Sequence, residues 1–271
     1  MTVLQAFVLG IVQGLSEFLP ISSSAHLSLT PWLFGWESPG LAFDISLHVG
    51  TLVAVVFYFR REWRELIVAW FSLLRKGKIE TIAERRAAYL LIATIPAGIA
   101  GLALEEYAET VFRAPVITAL MLIILGVILW AVDRWVPHRR SLDDMRWTDA
   151  LLIGIAQCLA LVPGVSRSGS TITMGRALGF DRQGAAVFSF LMSMPIIAAA
   201  ALFKVPDALA ETGITLPLVV GVVSAAVSSA FAIAILLRYV SRRDYGIFAV
   251  YRVLLGTLVL WLLFSQSGIN F

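Results

Sequence analysis

Residues 13–26 read QGLSEFLPISSSAH, a polar run set between an apolar segment from Val3 to Val12 and a second that ends near Trp36. A carboxylate, three consecutive serines and a histidine in such a place decide what kind of protein this is, because the surrounding chain is made for lipid. Of its 271 residues 59% are hydrophobic and 14% charged, against roughly 25% charged in an average soluble domain. The mean hydropathy is +0.86. The apolar runs continue from end to end with no long polar linker, so residues 1–271 are read as a single integral membrane domain. The basic residues gather in a few loops instead of on a helix face, and the net charge is only +3. Nucleic acid is therefore not a partner; the lipid bilayer is. A lone cysteine, Cys158, excludes an intramolecular disulfide. The N-terminus has no basic n-region or A-x-A-like site and is taken as mature structure.

A helix needs about 20 apolar residues to cross a hydrocarbon core of about 30 Å. Six stretches meet or approach this: 41–59, 87–104, 115–132, 184–203, 214–237 and 247–264. Two more fall short. Residues 3–19 stop at Pro20 and the polar run, and residues 149–162 stop at Pro163 in PGVSRSGST. Such segments fit re-entrant hairpins, which survive at membrane depth only when buried in protein or facing a wet cavity. The expected fold is thus an all-α polytopic membrane protein with six full transmembrane helices and two re-entrant helical hairpins.

Orientation follows from Lys and Arg. The loop at 60–86 carries eight, 133–149 four and 238–246 three. By contrast 105–114 has only Arg113, beside Glu105, Glu106 and Glu109, and 204–213 only Lys204. The positive-inside rule puts the first set in the cytoplasm. Both termini then lie outside.

The two short segments also resemble each other. AFVLGIVQGLSEFLPISSS (6–24) aligns with ALLIGIAQCLALVPGVSRS (150–168), pairing Gly10 with Gly154, Gln13 with Gln157, Leu15 with Leu159 and, after a one-residue gap, Pro20 with Pro163. Three full spans follow each copy. Because three is odd, the second copy is expected upside down, giving inverted repeats of about 1–135 and 145–271 whose polar tips face one another near the midplane.

Gln13 and Glu17 are four residues apart and share one helix face. An intramembrane carboxylate costs about 2.5–3.5 kcal/mol on insertion scales, which implies a partner or a task. Serines after Pro20 suit helix capping, but Ser22, Ser23 and His26 so near Glu17 also supply a hydroxyl, a base and a carboxylate, the parts of nucleophilic catalysis. In PGVSRSGST, Gly164 and Gly169 let backbone N–H groups approach an anion, and the helix restarting near Ser168 points its positive end at it. Arg167 adds a fork suited to phosphate. Ser166, Ser168, Ser170 and Thr171 surround it. Glu17 beside a pyrophosphate calls for a cation: a divalent metal on Glu17 and Gln13 would serve, and in the alternative Glu17 orients His26 with no metal. Asp44 and His48 are read as second-rank neighbours, and Arg252 as snorkelling.

These motifs, QGLSE with PISSSAH and then PGVSRSGST, resemble the paired signatures of the bacterial undecaprenyl-pyrophosphate phosphatases of the BacA/UppP family, and FDISLHVGT and FSFLMSMP extend the likeness along the chain. The resemblance implies an enzyme that hydrolyses undecaprenyl pyrophosphate to undecaprenyl phosphate and inorganic phosphate, recycling the lipid carrier of the cell wall and conferring bacitracin resistance. It implies dependence on a divalent metal, Mg²⁺ or Ca²⁺, and a site in the cytoplasmic (inner) membrane open to the outer face. Carried onto this chain, it gives Glu17, Ser23, His26 and Arg167 catalytic parts, Ser22, Ser166, Arg167, Ser168 and Thr171 to the pyrophosphate, and Glu17 with Gln13 to the metal. Some members have Glu where Gln13 stands. Three nucleophiles remain open, Ser23, His26 or an activated water, and a homodimer stays open beside a monomer. The competing reading is a transporter or flippase for a polyprenyl phosphate, which would not need Ser23 and His26.

Overall fold

The computed structural model describes residues 1–104, 107, 114–137 and 139–266. Among them are eleven α-helices and no β-strand: α1 Val3–Phe18, α2 Ser23–Phe34, α3 Leu41–Tyr58, α4 Arg60–Lys76, α5 Ile82–Ala103, α6 Pro115–Trp135, α7 Trp147–Cys158, α8 Arg167–Ala177, α9 Arg182–Thr212, α10 Leu216–Val240 and α11 Gly246–Gln266. Five of these, α5, α6, α9, α10 and α11, are long and apolar enough to cross a membrane, and a sixth follows if α3 and α4, bent by 86° at Phe59, are one broken span. Their outer faces are greasy. Ile95, Ile99, Leu102, Phe203, Phe231 and Trp261 are each more than half exposed, as surfaces in lipid should be. The acidic loop expected at 105–114 falls almost wholly outside the described residues.

The stretch at 60–86 is not the loop its charges suggest. Most of it is α4, whose Trp63, Leu66, Trp70 and Leu74 recur at helical spacing while Arg60, Arg61, Arg64 and Arg75 take other faces. Gly77 ends it in a left-handed cap at φ 68°. The buried Glu84, in the capping box that opens α5, accepts from the Ser72 hydroxyl at 2.7 Å and so ties α4 back to α5.

The two short segments have the same local build. α1 has 16 residues, about 24 Å of rise, and α7 has 12 followed by a 3₁₀ turn at Leu159–Leu161. Each runs into a turn, and each returning helix, α2 or α8, is capped by a serine, Ser22 or Ser166, with φ of 76° or 71°. Ser166 stands 144 residues after Ser22, as Gly154 does after Gly10. The gap placed at the prolines is therefore unnecessary, and Gly164, not Pro163, occupies the place of Pro20.

Helix packing respects the same exchange. α1 packs on α10 as α7 packs on α5, α3 on α10 as α9 on α5, and α1 on α2 as α7 on α8, while α3–α9 and α6–α11 map onto themselves. Small residues allow this closeness. A Cβ added at Gly10 would stand 2.3 Å from the Gly221 carbonyl on α10, and one at Gly154 would stand 2.4 Å from the Ala93 carbonyl on α5.

A buried ion cluster fixes the ends of four helices. Asp133 on α6 receives Arg176 Nε at 2.7 Å from α8, Arg182 Nε at 2.9 Å from α9, and the Tyr245 backbone N–H at 2.9 Å beside the start of α11. Arg176 also donates to the Phe180 carbonyl, and its side chain is fully buried.

Candidate functional site

The positive φ at Ser22 and Ser166 is costly for a side chain with a Cβ, of order 1–3 kcal/mol each, and such strain persists only where surroundings impose it. Here the two turns impose it on each other. Ser22 Oγ accepts from the Ala25 N–H at the start of α2 and, across the hairpins, from the Gly164 N–H at 3.2 Å. Ser166 Oγ accepts from the Gly169 N–H at 3.0 Å, and the Ser168 hydroxyl donates to the Leu19 carbonyl at 3.0 Å in the other hairpin. The two polar tips expected to face one another are thus locked together.

Arg252 is the clasp. It does not snorkel: its side chain is fully buried, and it donates to the carbonyls of Pro20 at 3.2 Å, Gly164 at 2.9 Å and Val165 at 2.9 Å, with Met121 and Leu122 of α6 behind. Pro20 and Gly164 are the equivalent positions of the two turns, so one guanidinium satisfies the orphan carbonyls of both. It reaches them past Gly126 and Gly169, whose missing side chains leave it room.

The first residues of the two returning helices meet on one carboxylate. Glu17 Oε1 accepts from Arg167 Nη2 at 2.7 Å; Oε2 accepts from the Ser23 hydroxyl at 2.5 Å and from Gln13 Nε2 at 3.0 Å, and His48 Nε2 lies 3.6 Å away. Glu17 and Gln13 are buried, while Ser23, His26, His48 and Arg167 are partly exposed. Two helix N-termini therefore point their positive ends at one small region that already holds an Arg, a setting for an anion. A donor is left over: Arg167 Nη1 is buried and has no hydrogen-bond partner. A buried donor without an acceptor is costly, and a phosphate oxygen would supply one.

His26 is held differently from the expectation that Glu17 might orient it. Its Nδ1 lies 2.7 Å from the Ser22 carbonyl, which can only accept, so Nδ1 donates; Nε2 is 2.6 Å from the Tyr251 hydroxyl, and the two rings stack with centroids 5.6 Å apart. Glu17 instead accepts directly from the Ser23 hydroxyl. Tyr251 was not found by sequence reasoning; its only signal is its place beside Arg252. The hydroxyls of Ser22, Ser166 and Ser168 serve caps and cross-hairpin bonds, and that of Thr171 lies between the Arg167 carbonyl and Ser189 Oγ. Of the residues expected to meet pyrophosphate, Arg167 alone has a donor to spare.

Among the described residues no group of three or more His, Cys, Asp or Glu side chains gathers, so a metal here would lean on substrate oxygens and water. The local donors nevertheless fit one. Gln13 Oε1 is buried beside Glu17 with no hydrogen-bond partner, and a hard cation would use that neutral oxygen. A groove of about 270 Å³ between α4, α5 and α9 is lined by Trp63, Leu66, Trp70, Phe71 and Leu90. It contains none of these polar groups.

The family model for the bacitracin resistance protein BacA matches residues 6–258. A protein of Gemmatimonas aurantiaca named undecaprenyl-diphosphatase is 59% identical over 267 residues, covering 98% of this chain and all of the relative. Proteins of the same name from Moorella thermoacetica and Pelotomaculum thermopropionicum are 51% and 47% identical over 96% of the chain.

Proposed function

The chain belongs to the BacA family, and from that premise we propose that it hydrolyses undecaprenyl diphosphate to undecaprenyl phosphate and inorganic phosphate. It thereby returns a lipid carrier to cell-wall synthesis, the step that underlies bacitracin resistance. The observation that carries the reading is the single carboxylate of Glu17 shared by Ser23 and Arg167, with Arg167 Nη1 left over for a phosphate.

The geometry favours Ser23 among the three nucleophiles. Its proton already points at Glu17, whereas both nitrogens of His26 are engaged. Ser23 Oγ attacks the distal phosphorus as its proton passes to Glu17, and the bond from that phosphorus to the bridging oxygen breaks, releasing undecaprenyl phosphate. Water then cleaves the phosphoserine to give inorganic phosphate, so one water is consumed overall. Arg167 and the N-termini of α2 and α8 stabilise charge on the transferring group. His26, fixed through Ser22 and Tyr251, stands ready to exchange a proton with bound phosphate. A divalent ion, Mg²⁺ or Ca²⁺, would be held by Glu17 and Gln13 and, when bound, supplies positive charge to the phosphates.

The chain is multi-pass in the membrane. Membership of the family supports a place in the bacterial cytoplasmic membrane, the basic segments support both termini outside, and the exchange of helix partners between halves supports inverted repeats whose joint site opens to the outer face. The test is release of inorganic phosphate from undecaprenyl diphosphate by detergent-solubilised protein with Mg²⁺ or Ca²⁺. Turnover supports hydrolysis. Binding of the lipid without release favours a carrier.

A further inference from the structure

His48, expected only as a second-rank neighbour, has its ring aimed at the site. On α3 its Nδ1 lies 2.7 Å from the Asp44 carbonyl one turn earlier, so Nδ1 donates and the ring is fixed. In the neutral ring the lone pair is then on Nε2. That atom faces Glu17 Oε2 at 3.6 Å. A lone pair and a carboxylate oxygen held face to face repel unless a positive centre joins them, either a proton on His48 or a cation bound by both.

Gln13 separates these cases. A protonated His48 would satisfy Glu17 but leave Gln13 Oε1 buried and without a partner. A cation gives His48 Nε2, Glu17 Oε2 and the Gln13 oxygen one common centre, once rotation of the terminal amide bond turns that oxygen toward Glu17. The spacing is also close to what is needed. In octahedral coordination, neighbouring ligands about 2.1 Å from one ion sit about 3.0 Å apart, so a small approach of the His48 ring toward Glu17 brings both within reach of one cation.

We infer that His48 Nε2 is a ligand of the divalent cation in this chain, with Glu17 Oε2 and Gln13 Oε1. This deepens the metal reading of the same site. Beside Glu17 this chain has the neutral Gln13, and His48 supplies a second strong donor from another helix. An imidazole nitrogen in place of a carboxylate moves preference from Mg²⁺ and Ca²⁺ toward first-row transition ions.

The experiment uses Mn²⁺ as the probe, bound to detergent-solubilised full-length protein without substrate, and reads electron spin-echo modulation. The wild type is expected to show coupling from a directly bound imidazole ¹⁴N, which changes to the ¹⁵N pattern when histidine is ¹⁵N-labelled. The chain has three histidines, so assignment is simple: H48Q should abolish the coupling and weaken Mn²⁺ binding at least about tenfold, while H26Q leaves the coupling in place. The isotope exchange needs no mutant, so the idea stays testable even where H48Q fails to fold. Bound Mn²⁺ without nitrogen coupling, coupling that survives H48Q, or no Mn²⁺ binding would each overturn it. None of these outcomes bears on phosphate release by the wild type, which tests hydrolysis separately.

Discussion

Glu17 is where the residue scale is decided, because the same carboxylate holds a hydroxyl, a guanidinium, an amide and a histidine edge. If Ser23 is the nucleophile, S23A lowers kcat at least about 100-fold. Acid quenching of the wild type with label in the distal phosphate should then trap phosphoserine, and label that never attaches to protein would point to water. Arg252 is a positioning residue with a distinct signature. R252M leaves the carbonyls of both turns without their donor, at about 1–3 kcal/mol for each unsatisfied group, and is expected to lower the Tm in detergent. R252K restores part of the Tm but not kcat, since one ammonium cannot span Pro20 and Gly164 as the fork does. Equal recovery of both would reduce Arg252 to packing. The polar residues of the two motifs were readable because charge and hydroxyls stand out in apolar sequence. Tyr251 was not, and Arg252 and His48 were noted without the roles they have here, since these depend on contacts with residues far along the chain.

The hairpins are the element on which the site depends, and they were legible for a local reason: proline, glycine and serine interrupt apolar segments too short to cross a bilayer. Their close approach to α10 and α5 was only hinted at by Gly10 and Gly154. Adding side chains there tests it. G10V and G154V each drive a Cβ into backbone, and overpacking of this kind costs about 1–3 kcal/mol or more. Both should cut the yield of folded protein and the Tm alike, as read by size-exclusion chromatography and thermal unfolding; tolerance of either would show that the helices can separate there. Helix α4 was missed because counting its charges hid the helical spacing of Trp63, Leu66, Trp70 and Leu74.

At the scale of the whole molecule, stability and chemistry are separable. The Asp133 cluster lies among helix ends, and its members do not touch Glu17. Breaking a buried pair costs about 3–5 kcal/mol, so D133A should lower the Tm strongly while the folded fraction keeps kcat near that of the wild type. Loss of kcat without loss of Tm would place the cluster in catalysis. The composition made the membrane setting plain, and the internal likeness of 6–24 to 150–168 suggested two related halves. It did not reveal that both halves bring the first residue of a returning helix, Ser23 and Arg167, to one carboxylate. That convergence is the central claim, and the most direct test is the turnover of undecaprenyl diphosphate by R167A, with folding verified by an unchanged elution profile. Losing one preorganised donor typically costs about 10²–10³ in kcat, and a loss at least that large is predicted. A folded R167A that releases phosphate at the wild-type kcat would contradict the account.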